Sequence, residues 1–271
     1  NGYKIWQKLI APLLIFTDKP TATTNAGKVA GFKEGNINVF KGIPFAASPI
    51  GDLRWKAPQP VASWKDVKAC NAFGASPMQA PPFPFMCWTE EYLIPKEPIG
   101  EDCLYLNVWS NKKTAPKKAV LVYIYGGGFV SGGSGCDIYD GEAMAKKDIV
   151  FVTINYRVGV FGFLAHPELS NESDKKTSGN YALLDMIAAL KWVKQNIAGF
   201  GGDPNQVTIA GQSAGAFAVN YTTLNQAKDN LKNLILTKKG ERLMQPEFGC
   251  DIWKVLFEPI VEGSIERSIE L

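Results

Sequence analysis

Residues 207–219 read VTIAGQSAGAFAV, and this stretch decides the fold. Val207 to Ala210 is a short β-prone run, and Gly211-Gln212-Ser213-Ala214-Gly215 has the form G-x-S-x-G. Ala216 to Val219 is apolar and helix-like. A serine on a sharp turn between strand and helix stands exposed, and the turn tolerates only small residues on either side. The helix that follows points its positive end at the turn. Ser213 is therefore the candidate nucleophile. The amide of Ala214 is a candidate donor to a developing oxyanion. A bare G-x-S-x-G arises by chance, so the flanking strand and helix carry the weight.

Upstream lie three more β-prone runs: Leu104 to Trp109, AVLVYIY (119–125) and IVFVTINY (149–156). Continuous apolar runs predict strands buried on both faces, as in a sheet covered by helices. Between the third run and VTIA, residues 180–200 place Ala182, Leu183, Met186, Ile187, Leu190, Val193 and Ile197 at helical spacing. Gly199 is the expected stop. Strand, helix, strand in this order predicts a parallel crossover. The fold class expected is α/β. Residues 27–46 read as short hairpin strands, and 44–64 and 76–98, rich in proline, read as long loops.

The strand AVLVYIY runs directly into Gly126-Gly127-Gly128-Phe129. A glycine triplet lets backbone amides approach a tetrahedral intermediate closely. Alone it is a glycine-rich turn. Paired with the serine elbow, it is the expected second half of an oxyanion hole.

Bulk composition narrows the alternatives. The chain has 271 residues, 46% hydrophobic and 20% charged, which suits one large globular domain, or one domain plus a small addition. Net charge is +3, with no basic run interleaved with aromatics, so nucleic acid is not an expected partner. No apolar run reaches the length of a membrane span. The five cysteines show no C-x-x-C spacing, and neither metal nor cofactor is expected.

Several blocks together resemble the type-B carboxylesterase and cholinesterase family: FKGIPFAASPIGDLRWKAPQP (40–60), EDCLYLNVW (101–109), VYIYGGGFVSGG (122–133), NYRVGVFGFLAHPEL (155–169) and residues 179–216. The resemblance covers residues 27–221. It implies the N-terminal portion of an α/β-hydrolase sheet, Ser213 as the acylated nucleophile, and an oxyanion hole from the amides of Gly127, Gly128 and Ala214. The implied substrate is a small carboxylic ester, and the implied location is secreted or periplasmic. It also implies a disulfide from Cys103 to an upstream cysteine. Ser76 stands at the usual partner position, so Cys87 or Cys70 substitutes or the bridge is absent. Gln212 stands where eukaryotic cholinesterases carry glutamate, which is similar to bacterial members and favours a general carboxylesterase.

Acyl transfer needs a base beside the serine, oriented by a carboxylate, in the chain order serine, acid, histidine. No histidine follows Ser213; the only one, His166, precedes it within FLAHPEL. Asp229 or Glu241 could serve as acid, with nothing to orient. Residues 231–271, through PEFGCD and LFEP, resemble the small baseplate-wedge proteins of contractile phage tails. The expected organisation is therefore a lead-in (1–26), a truncated α/β-hydrolase domain (27–224) and an unrelated segment (225–271). Three functions follow: a serine esterase impaired by a missing triad, a non-catalytic esterase-like binding protein, or a baseplate component. An incomplete sheet would leave an edge for a partner chain or self-association.

Overall fold

A computed structural model describes residues 19–84, 88–111 and 117–222. The chain divides into two compact units, Asn1–Val219 and Asn220–Leu271. Among the described residues the first unit carries all three sheets.

The N-terminal part forms β1 (Thr21–Thr23), β2 (Lys28–Ala30), β3 (Phe32–Glu34) and the longer β4 (Ile37–Pro44). Three two-residue strands then pin the loops: β5 (Lys68–Ala69), which pairs with β2, and β6 (Ser76–Pro77) and β7 (Ile99–Gly100), which pair with each other. The hydrolase-like part follows as β8 (Tyr105–Asn111), β9 (Lys118–Ile124), α1 (Glu142–Lys146), β10 (Val150–Ile154), α2 (Gly159–Phe163), α3 (Pro167–Glu172), α4 (Tyr181–Asn196), β11 (Gly202–Gly211) and α5 (Ala214–Thr222).

The main sheet has the order β3-β4-β8-β10-β9-β11. Pairing is antiparallel from β3 to β10 and parallel from β10 through β9 to β11. The change of sense follows from the connections. β10 and β11 return to opposite sides of β9 through helix-containing crossovers, which restore the strand direction, as residues 149–210 led us to expect.

Burial follows position in the sheet. Every residue of β10 is buried, as are Leu106 to Ser110 of β8. β11 departs from the expectation: Val207, Ile209 and Ala210 are half-buried and Thr208 is exposed. Among the described residues β11 pairs only with β9, so one edge lacks a neighbouring strand to cover it. A β-prone run does not by itself say how many neighbours a strand will have.

The long helix forms where its apolar spacing placed it, with Ala182, Met186, Ala189 and Val193 turned into the core. Its stop differs from the expectation. A 3-10 turn (Ile197–Phe200) continues past Asn196, and Gly201, at φ +89°, is the left-handed cap. Gly199 serves packing instead, because a Cβ there would lie 2.9 Å from the carbonyl oxygen of Thr23 in β1. Asp185 on α4 is fully buried, and Arg157 grips it with Nε–H and Nη2–H at 2.8 and 2.7 Å. Burial pushes the Asp185 carboxyl above its usual range, and the Arg157 guanidinium pulls it back. This pair fastens the loop after β10 to α4.

Candidate active site

The site is built at the carboxyl ends of β9 and β11. Gly211 ends β11, and Ala214 begins α5 two residues beyond Gln212. Ser213 between them takes φ +52°, the left-handed region, and is exposed. For a residue with a Cβ that conformation costs about 1–2 kcal/mol. The turn is tight enough that a Cβ on Gly211 would lie 2.4 Å from the Gly215 backbone, and one on Gly215 would lie 2.2 Å from the Ile124 carbonyl oxygen. Only glycine fits at either flank, which is the physical content of G-x-S-x-G.

The elbow is tied down from both ends. Gln212 donates its N–H to the Ile124 carbonyl at 3.2 Å, and the Ser213 carbonyl accepts from Ala216 and Phe217 at 2.9 and 3.2 Å. The Gln212 Oε1 accepts from the Tyr139 hydroxyl at 2.7 Å. Tyr139 closes a short 3-10 turn (Asp137–Tyr139), and burial pushes its phenol well above the usual range, so it remains a donor.

The glycine loop faces the elbow. A Cβ on Gly126 would meet the Gln212 carbonyl oxygen at 2.7 Å and the Ser213 Cβ at 3.0 Å. Just below the loop, Tyr125 and Tyr156 stack at 4.3 Å, and each hydroxyl donates to the other's carbonyl. That lock joins the ends of β9 and β10 beneath the loop. Gly127 and Gly128 are exposed, while Ala214 is buried at the positive end of α5. Among the described residues none of these three amides donates to a protein acceptor.

Gly126 to Gly128, Gln212 and Ser213 line one cleft of about 630 Å³. Its opposite wall comes from the loop expected at residues 76–98, through Pro81, Pro82, Phe83, Trp88 and Tyr92. Among the described residues no Asp, Glu, Lys, Arg or His lines it. Cys136 does, but its buried thiol is pushed up to about 12, far from a reactive thiolate.

The structure therefore gathers Ser213, Gly127 and Gly128 at one cleft, with Ala214 next in the chain to Ser213. It leaves His166 elsewhere. His166 is exposed and does not line the cleft, and its Nδ1 caps α3 by accepting the Glu168 amide at 3.3 Å. Asp229 and Glu241 lie outside the described residues. Cys70, Cys103 and Cys136 are free and buried, so the implied bridge from Cys103 to Cys70 does not form. Cys87, the other candidate partner, lies outside the described residues. Burial in the apolar core raises the Cys103 thiol well above its ordinary value. Among the described residues no helix is long and apolar enough to cross a membrane, and no group of side chains could hold a metal. Sequence reasoning missed Gln79 and Tyr139, whose roles rest on partners 53 and 73 residues away.

A serine on a left-handed elbow at the end of a parallel strand, facing a glycine loop, defines an α/β-hydrolase. The description "Carboxylesterase family" matches residues 18–245, and the chain belongs to that family. It is 46% identical over 227 residues to a fumonisin B1 esterase of Sphingopyxis macrogoltabida, a match covering 82% of this chain and 40% of that protein. It is 39% identical to a para-nitrobenzyl esterase of Bacillus subtilis (strain 168), covering 83% of this chain and 45% of that one. A solved PNB esterase structure superposes with a TM-score of 0.67 at 38% identity, covering 74% of this chain and 40% of that chain. The chain thus spans less than half the length of these relatives.

Proposed function

We propose that this chain carries the nucleophile-bearing part of a serine carboxylesterase that works through an acyl-enzyme on Ser213. Ser213 Oγ gives up its proton and bonds to the ester carbonyl carbon, the acyl C–O bond breaks and the alkoxide leaves as the alcohol with that proton, and water then hydrolyses the acyl-serine to release the acid and restore the hydroxyl. The amides of Gly127, Gly128 and Ala214 hold the charge that develops on the carbonyl oxygen. The observation that carries this reading is the exposed, left-handed Ser213 facing the glycine loop across one cleft. A lining that holds no charged side chain among the described residues supports a small uncharged ester rather than a cationic or polyanionic one.

Turnover by the chain alone is impaired, because its sole histidine caps α3 away from the cleft. A serine without its base keeps roughly 10³–10⁴ over water at best. The test is hydrolysis of p-nitrophenyl butyrate by the 271-residue chain beside Ser213→Ala. Both proteins are expected to be nearly inert. A burst of product that Ser213→Ala abolishes would show that a base exists, and the impairment reading would fall.

The same histidine favours a second reading, an esterase-like domain that binds without turning over. Saturable binding of an uncharged ester, with no product formed, would identify it. The PEFGCD and LFEP blocks support a baseplate-wedge role for residues 231–271. Both blocks lie beyond residue 245, where the carboxylesterase match ends, and outside the described residues. Tail genes beside this one would support that role. A continued esterase reading frame would remove it. A secreted or periplasmic location now rests on the family alone, since Cys103 is free. The half-exposed β11 and the exposed Phe217 on α5 support association with a partner chain or a second copy.

A further inference from the structure

We infer that Gln79 is a positioning residue for the oxyanion loop, fixing the aim of the Gly128 amide from the opposite wall of the cleft. The inference rests on the reading of Gly127 and Gly128 as oxyanion donors.

The side-chain amide of Gln79 makes a two-way clamp on one backbone residue. Its Nε2 donates to the Gly132 carbonyl at 2.8 Å, and its Oε1 accepts the Gly132 N–H at 2.8 Å. A third bond, from Nε2 to the Pro77 carbonyl at 2.8 Å, holds the amide to its own loop. A planar amide with both ends engaged has one orientation left. Gln79 therefore imitates a strand, pairing the 77–83 loop with the far end of the glycine loop.

The clamp reaches the site through the planarity of peptide bonds. Gly132 N shares a rigid peptide unit with the Ser131 carbonyl. Ser131 in turn donates its N–H and its hydroxyl to the Gly127 carbonyl, at 3.1 and 3.2 Å, and the Val130 N–H joins them at 3.1 Å. The Gly127 carbonyl and the Gly128 N–H are opposite ends of a single peptide unit. Three donors on the carbonyl fix that unit, and with it the direction of the Gly128 N–H. Ala75 supplies a parallel strut: its carbonyl accepts from Asn155, whose Oδ1 accepts the Ser134 amide at 2.8 Å. The strut meets the chain beyond Gly132, so it does not substitute for Gln79 at the loop itself. Because the same segment lines the cleft through Phe83, a ligand pressing on that wall would act on the clamp.

Amide hydrogen exchange on the 271-residue chain tests this without requiring turnover. In Gln79→Leu, exchange across residues 126–132 is expected to rise at least tenfold, while β8 and β10 stay at their wild-type rates. Gln79→Glu keeps the acceptor but loses the donor, and is expected to fall between. Unchanged loop exchange in both variants overturns the inference. If Gln79→Leu unfolds throughout, Gln79→Glu decides. A rise confined to the loop supports a positioning role, whereas global unfolding of both variants overturns it in favour of a general structural one. The second arm is the rate of Ser213 labelling by a fluorophosphonate. Where wild type labels, Gln79→Leu is expected to slow labelling about tenfold, since misaiming one donor is milder than deleting it. Wild type that does not label agrees with a serine lacking its base, and the exchange result alone then decides Gln79.

Discussion

β10 and β11 are both strands beside β9, both parallel to it, and they do opposite things. All five residues of β10 are buried, and its carboxyl end leads to the tyrosine lock and the Arg157–Asp185 pair. β11 is half-exposed along Val207 to Gly211, and its carboxyl end leads to a strained serine. The two strands that flank β9 thus divide the labour. The interior strand supplies rigidity, and β11, which among the described residues pairs only with β9, carries the proposed nucleophile where a ligand can reach it. Strain at Ser213 persists because Gly211, Gly215 and Gly126 interlock around it and leave no relaxed alternative.

The largest expected effect compares one deletion in both strands. Ile154→Ala on β10 opens a cavity in a fully buried site and is expected to cost about 2–5 kcal/mol. Ile209→Ala on β11 removes the same atoms from a half-buried site and should cost about 1 kcal/mol, since solvent and neighbours relax into the gap. Urea midpoints of the two variants measure the difference. Equal losses would mean that β11 is as enclosed as β10, and the contrast would be broken.

A smaller effect, of opposite sign, sharpens the contrast at the elbow. Ser213→Gly removes the left-handed penalty of about 1–2 kcal/mol and adds the unfolded-state entropy of glycine, about 0.5–1 kcal/mol. A net gain of about 0.5–1 kcal/mol is expected, read as a higher midpoint, whereas Ser213→Ala keeps the penalty and stays near wild type. A loss of stability in Ser213→Gly would mean that the turn is not strained.

How much of this was legible in the sequence follows the same division. The runs at 104–109, 119–125 and 149–156 became strands within two residues of their expected ends, because continuous apolar text and deep burial are the same fact. The elbow and glycine loop were legible because their geometry admits only glycine at named positions. β11 was legible only in its apolar second half. Its first half, Gly202 to Gln206, is polar, and the register slips between Gly202 and Val207. Asp203 holds that irregular entry by accepting the Asn205 amide at 2.9 Å and the Gln206 side chain at 3.0 Å. Those bonds hold Asp203 below the usual carboxylate range. Nothing in the spacing of residues 202–206 announces such a bulge. Gln79 and Tyr139 were illegible for another reason: each acts on a residue more than fifty positions away, and sequence carries no marker of that pairing.

The smallest expected effect on stability concerns the surface that the edge strand leaves open. Phe217 sits on α5 one turn beyond Ser213, 61% exposed. A ring so placed contributes little to the fold of its own unit, so Phe217→Lys should change the urea midpoint by less than about 0.5 kcal/mol. It should still matter for association, because an exposed aromatic offers an apolar anchor to a second copy, and a lysine there places a charge that the copy would have to desolvate. Sedimentation velocity over a concentration series reads this directly. Wild type is expected to shift to larger species with concentration, and Phe217→Lys to shift less. A wild-type chain that stays monomeric throughout would show that the edge is sealed by side chains and twist alone. The contrast between β10 and β11 would then be one of chemistry and not of assembly.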